Sequence, residues 1–383
     1  MEHGVRNGQV VGHGPTAREV SQLATRFDRV HHVAYFDPAA TSALMLPYSS
    51  ENVRLIPVPA AGGDGLLQKA GVLVVAGQYI RTIMHELREL DPESDVVHVR
   101  CPAPISLVAL ILMSIAPSPR KRWVKYAGNW QPMDLDSTGY AVQRWWLKRN
   151  FARAKVTVNG HWPNQPHHIA AFTNPCLSCE ELAEIRAANA AKPPLKPLRL
   201  IFMGSVNARK GVGRALEIVQ RLIDLGLDLT FDIVGDGPER GDFEAKMSLA
   251  LQSRVTFHGW VPRTAVGSFL MPAHLMLLPS DSSEGWPKVL SEGMAYGVVP
   301  VASDISSIPQ YLSECGVGAT LNPHNIEGFV AAILNYTRHP EQWQRESIRG
   351  LKAAKRFTYE VYLENVCRLL ELDDRDQPRI SSS

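Results

Sequence analysis

Cysteine is scarce in this 383-residue chain. The five present, Cys101, Cys176, Cys179, Cys315 and Cys367, are odd in number and scattered, so they make no disulfide framework and fit a reducing compartment. One CxxC pair, Cys176 and Cys179, has no further ligands at zinc spacing, and no metal is expected. An excess of one charge is also missing. Lys and Arg number 40 against 38 Asp and Glu, a formal +2, which excludes a polyelectrolyte and argues against nucleic acid as a partner. Long apolar runs are lacking too: Pro104 to Ala116 falls far short of the roughly 20 residues a membrane span needs and reads as a buried helix. Met1 to Gly14 carries neither the basic start nor the apolar stretch and cleavage site of a secretory signal, so a cytoplasmic location is expected.

What is present is length and apolar content enough for two cores, with 45% hydrophobic residues. Short β-rich runs at Val30–Phe36, Val53–Val58, Val72–Val75, Val96–Arg100, Trp123–Tyr126 and Lys155–Asn159 alternate with helical patterns. A second series follows at Leu198–Met203, Thr230–Val234, Val255–Phe257, Leu275–Pro279 and Val299–Ala302. That alternation predicts stacked βαβ units with parallel sheets, an α/β fold. Between the series, Ala187 to Pro197 turns to Ala, Lys and Pro and reads as a linker.

Parallel sheets bind ligands at the carboxyl ends of their strands. Three such ends stand out. Leu198–Met203 runs into Gly204 to Gly211, whose glycines and Lys210 before a helix suit a phosphate, although an ordinary basic βα turn reads equally well. Gly235 to Pro238 after the next strand lacks the full GxGxxG and reads first as a tight turn. The third is a loop from Asp281 to Trp286, after which Pro287 opens a helix and leaves the amides around Gly285 to Val289 able to face an anion. Glu284 in that loop and Glu292 in the helix offer acceptors for sugar and ribose hydroxyls; the alternative is a pair of surface glutamates.

The whole stretch from Pro279 through Glu284, Lys288 and Glu292 to Asp304 resembles the donor-binding signature of family 4 (group 1) glycosyltransferases. The likeness extends back through His258-Gly259-Trp260-Val261, Gly235 to Pro238 and Arg209-Lys210-Gly211, about half the chain. It implies a GT-B fold, two Rossmann-like domains with parallel sheets facing a central cleft. The expected domains are 1–190 on the acceptor side and 197–355 for the nucleotide sugar. A helix over 356–375 returns toward the first, and 376–383 form a disordered tail. The resemblance implies that Lys210 contacts the donor phosphates and Glu284 the sugar, the two catalytic candidates, while Glu292 takes the ribose. Gly204, Ser205, Arg209, Gly235, Gly259, Trp260, Val261, Gly285, Trp286, Pro287, Lys288 and Val289 complete the expected donor site. The activity implied is retaining transfer of a hexose from a nucleoside diphosphate sugar, UDP rather than GDP, to a saccharide or lipid-linked acceptor, as in polysaccharide biosynthesis. No cofactor is implied. A nucleotide-sugar epimerase or hydrolase on the same fold, and an inactive GT-B scaffold, are the alternatives.

Two departures from the family pattern appear. Ser205 stands where an arginine is usual, and the first strand expected before the acceptor loop is not evident, since only Gly8 to Gly14 precedes a helix near Pro15. On the acceptor side, Gly12, Gly14, Arg100, Lys125, Gly128 and Asn129 are candidates together with His98, with core support as the alternative for each. Asp134-Leu135-Asp136 spells the DxD of the other major transferase fold but lies in the wrong half. Basic and aromatic residues interleave at Arg120 to Trp123 and Arg144 to Arg153, a pattern suited to an anionic membrane surface or a lipid-phosphate acceptor, with Trp145 and Trp146 packed inward and the cations solvated as the alternative.

Overall fold

The β-rich runs form three sheets in a computed structural model that describes residues 2–40, 42, 44–60, 66–132, 137–188, 192–282 and 284–372. Strands β1 (Glu2–Arg6), β2 (Gln9–His13), β3 (Val30–Phe36), β4 (Met45–Pro47) and β5 (Val53–Val58) lie in the order β4-β2-β1-β3-β5. Strands β6 (Val96–Cys101), β7 (Lys121–Tyr126), β8 (Lys155–Val158) and β9 (Ile169–Ala171) follow one another in a parallel sheet. The third sheet is parallel throughout, ordered β12-β11-β10-β13-β14-β15. Its strands are β10 (Leu198–Met203), β11 (Leu229–Val234), β12 (Val255–Gly259), β13 (Leu275–Leu278), β14 (Val299–Ser303) and β15 (Ala319–Leu321).

The chain divides into two compact units, Met1–Phe172 with Tyr362–Ser383, and Thr173–Val361. In the second unit β13 and β14 are buried along their whole length, as expected of parallel strands whose two faces are both covered. Helix Val212–Asp224 packs there through Val212, Ala215, Leu216, Val219 and Leu222, a spacing of three and four that lines one face. Gly226, at φ +79°, ends it with Gly226 N bonded to Ile223 O and Leu227 N to Leu222 O, a turn that needs a left-handed residue. In the first unit, Tyr362, Leu363, Val366 and Leu370 from helix Tyr359–Leu370 join Leu23 and Trp123 in one core.

Three sequence expectations change. Val72–Val75 is not a strand but part of helix Leu66–Glu89; a four-residue apolar run does not distinguish a strand from one stretch of a helix, and Val74 is 84% exposed. Helix Pro104–Ile115 is only half buried, with Ile111 and Ile115 exposed. Residues before Gly8 do form a strand: β1 makes a hairpin with β2 through Asn7 and Gly8, both at positive φ, and pairs parallel with β3. The DxD sequence and the tail over 376–383 lie outside the described residues.

Candidate functional site

Four neighbouring strands of the six-stranded sheet deliver the expected donor residues to one end. Gly204 follows β10, Gly235 follows β11, Gly259 closes β12, and Pro279 to Glu284 follow β13. The loops are laced backbone to backbone: Gly204 N donates to Val234 O and Val206 N to Asp236 O, each at 3.0 Å. That closeness is what the glycines permit. A Cβ on Gly235 would sit 1.9 Å from Gly204 O, and one on Gly211 2.0 Å from Pro279 O. Both have positive φ, so no other residue fits without moving a neighbouring loop.

Lys210, at the end of the first loop, forms an ion pair with Glu284 Oε1. Its loop is pinned to the one after β13, because Arg209 O accepts from Asp281 N at 3.0 Å and from Ser280 Oγ at 3.2 Å. Arg214 reinforces this, donating from Nε to Pro279 O at 2.8 Å and pairing with Asp281 at 3.1 Å. The Arg209 side chain is exposed and makes no hydrogen bond among the described residues, while Ser205 Oγ accepts from Asn207 at 3.2 Å.

Helix Lys288–Ala295 has Pro287 as its N-cap and so begins one residue after the expected start. Ser306 and Ser307 hydroxyls donate to Gly285 O at 2.7 and 2.8 Å. Because a trans peptide sets C=O and N–H on opposite sides, this turns the Trp286 amide away from those serines. The Trp286 indole is core: it stacks on Phe357 at 5.2 Å, meets Tyr311 edge-on, and donates to Ser291 Oγ at 2.7 Å. Val261 likewise packs on the core, whereas Trp260 is exposed. Glu292 Oε1 accepts from Arg263 Nη1 at 2.9 Å, and its Oε2 makes no hydrogen bond among the described residues. Arg263 also bonds Glu181 at 3.1 Å and Cys176 O at 3.0 Å. Burial opposes its charge, but the Glu292 and Glu181 carboxylates hold its pKa above the ordinary arginine value. Sequence reading missed Arg263, Arg214, Ser306 and Ser307, since a single arginine opening a helix reads as a solvated cation.

In the first unit the structure brings Arg100 and Lys125 together on a residue not foreseen, Glu19, whose Oε1 accepts from Arg100 Nη1 at 2.5 Å and Lys125 Nζ at 2.7 Å. His98 lies nearby, stacked on Trp123 at 3.8 Å, and its pKa is lowered to about 3 by burial and by Arg100. The other candidates serve the backbone. Gly12 lies inside β2, where a Cβ would meet the His3 ring at 2.6 Å, and Gly14 N donates to Leu44 O at 2.9 Å. Gly128 packs near Pro102, and buried Asn129 accepts from Gln131 N at 3.1 Å.

The family model described as glycosyl transferases group 1 matches residues 197–339. The amylovoran biosynthesis glycosyltransferase AmsK of Erwinia amylovora is 33% identical over 149 residues, 36% of this chain and 35% of that protein. Matches to the first curated relatives span 22% to 47% of their lengths. Among solved structures, sucrose-phosphate synthase from Thermosynechococcus elongatus has a TM-score of 0.67 at 16% identity, covering 91% of this chain and 96% of that one. Alr3699/HepE of Anabaena, solved in complex with UDP, has a TM-score of 0.64 at 14% identity, covering 94% and 96%. These likenesses show a GT-B fold.

Proposed function

This chain belongs, through residues 197–339, to the group 1 glycosyltransferases, and from that premise we propose that it transfers a hexose from a UDP-sugar to a saccharide or lipid-linked acceptor with retention of configuration. The observation that carries this reading is the convergence of Lys210, Glu284 and Glu292 at one end of the six-stranded sheet, on loops whose glycines allow close backbone approach. A donor diphosphate competes with Glu284 for Lys210, which frees the carboxylate for the sugar hydroxyls. Arg263 fixes Glu292 through Oε1 and leaves Oε2 to accept from the ribose, whose hydroxyls need acceptors once out of water. Lys210 and the amino end of helix Lys288–Ala295 neutralise the leaving diphosphate. The acceptor hydroxyl attacks from the leaving-group side and the departing phosphate takes its proton, so no nucleophile is assigned. The UDP complex of the Anabaena neighbour supports the choice of base.

The test is a thermal-shift panel of UDP- and GDP-sugars followed by transfer to saccharide acceptors with and without a chelator. A ligand at 100 times its Kd adds about 2.7 kcal/mol. UDP-sugars are expected to stabilise the protein, and transfer to persist in chelator. Failure of every nucleotide to shift the melting temperature would overturn the reading.

An anionic membrane is proposed as a second partner. No described helix is long and apolar enough to cross a membrane, but Trp145, Phe151, Ile111 and Ile115 are exposed, as are Arg149, Arg153, Lys148 and Arg120. Arg122 and Arg144, which the sequence pattern placed in this basic face, are buried and do not belong to it. Arg122 donates to Pro119 O, Met113 O and Ala116 O, and Arg144 to the Tyr126 hydroxyl.

A further inference from the structure

Arg100 and Lys125 are direct register partners at the carboxyl ends of β6 and β7, the end at which a parallel sheet takes ligands. Glu19, from helix Gly14–Ala24, is fully buried, and its Oε1 serves Arg100, Lys125 and, at 3.0 Å, the Tyr362 hydroxyl. Two cations therefore share one carboxylate oxygen. Burial opposes the Arg100 charge, but the Glu19 carboxylate holds its pKa above the ordinary arginine value. Burial, then His3 and Arg100, lower the His32 pKa to about 3; burial and Arg100 do the same to His98; and burial raises that of Tyr48, so all three are neutral near pH 7.

The guanidinium itself is half used. Its Nη1 is committed to Glu19, its Nε is buried with no hydrogen-bond partner, and its Nη2 makes no hydrogen bond among the described residues. The side chain nevertheless keeps 18% of its surface exposed. Nε and Nη2 form one edge of the planar group, the fork that binds a carboxylate or phosphate through two parallel hydrogen bonds. A buried donor left unmade is costly, so a ligand that fills this edge gains more than one meeting an already solvated cation.

We propose that the Nε and Nη2 edge of Arg100 seats an oxyanion, a carboxylate or a phosphate, and, resting on the transferase reading above, that this oxyanion is carried by the sugar acceptor. The acceptor class is then acidic: a uronic acid, a phosphosugar or a phosphate-linked lipid headgroup. Lys125, paired with the same Glu19 oxygen, adds a second positive charge on the neighbouring strand.

The experiment titrates the full chain calorimetrically with inorganic phosphate, glucuronate and glucose, for the wild type, R100K and R100Q, and separately with UDP. R100K keeps a cation for Glu19 and removes the fork, so it tests geometry without stranding the buried carboxylate; circular dichroism checks its folding. At least one anion is expected to bind tenfold or more tightly than glucose, whichever is tighter identifying phosphate or carboxylate as the source. R100K and R100Q are expected to lose that preference while UDP affinity is unchanged. Anions binding no better than glucose, or R100K binding them as the wild type does, would overturn the proposal. The same comparison on wild type already saturated with UDP, whose phosphates occupy the Lys210 site, decides the matter even where a variant fails to fold. Anion binding without UDP binding keeps the oxyanion seat and removes the transferase reading; UDP binding without anion binding does the reverse.

Discussion

The two units build their polar centres from opposite materials. In the second, loops approach one another through glycine and backbone, and three charged pairs join adjoining strand ends and helices: Lys210 with Glu284, Arg263 with Glu292, Arg214 with Asp281. In the first, a single buried carboxylate collects donors from two strands and from a helix at the far end of the chain. A centre made of close backbone tolerates almost no change at its glycines, whereas one made of shared charge depends on its balance.

The largest expected effect of a single substitution tests that balance. Glu19→Ala strands Arg100 and Lys125, and breaking a buried pair costs about 3–5 kcal/mol. Chemical denaturation followed by tryptophan fluorescence should show the first unit losing that much while UDP affinity of any folded fraction holds. Equal destabilisation of both units would erase the distinction.

Acid should weaken the first unit next. His32 and His98 have pKa values lowered to about 3 from 6.5. Between these values the unfolded chain binds protons that the folded unit does not, so their contribution is full above pH 6.5 and is lost as pH falls toward 3. Each contributes a slope of up to about 1.4 kcal/mol per pH unit. Denaturation midpoints measured from pH 7 to 4 check this, and a flat profile would mean that both rings are solvated.

In the second unit, Glu292→Ala should weaken UDP binding by about 1–3 kcal/mol, since it leaves ribose hydroxyls without an acceptor and Arg263 with Glu181 and the Cys176 carbonyl alone to hold it. Calorimetry with UDP measures it; unchanged affinity in the folded variant would remove Glu292 from the site. The smallest effect belongs to the surface of the first unit. Replacing Lys148, Arg149 and Arg153 with Gln should release the protein from anionic vesicles at low salt, at roughly 1 kcal/mol per cation. Cosedimentation at rising ionic strength reads it, and a wild type that never pellets refutes the membrane partner.

This contrast also explains what was legible in the sequence. The β10 span, Leu198–Met203, is the one its apolar run predicts, and the loop after β13 could be read because Glu284, Pro287 and Glu292 lie within one short segment. Glu19 could not be found that way. It is an acidic residue in a helix, which reads as solvated, and its partners stand 81, 106 and 343 positions away. Arg144 and Trp145 show the finer limit: adjacent in sequence, they point oppositely, the arginine to the Tyr126 hydroxyl and the tryptophan to solvent. The misread run at Val72–Val75 belongs to the same class, because four residues carry too little period to separate helix from strand.

The distance from Glu19 to Tyr362 also sets an order of events during synthesis. A ribosome adding about 5–20 residues per second takes roughly 17 to 70 s to travel the 343 positions between them. Once Arg100 and Lys125 have followed Glu19, the nascent first unit holds its charged centre without the tyrosine hydroxyl for the remaining 237 positions, and the cavity beside Leu23 and Trp123 lacks the helix residues that fill it. The second unit, Thr173–Val361, has by then been synthesised whole. The part of the protein made first is thus the last to finish folding, and its open apolar flank is where a chaperone would act.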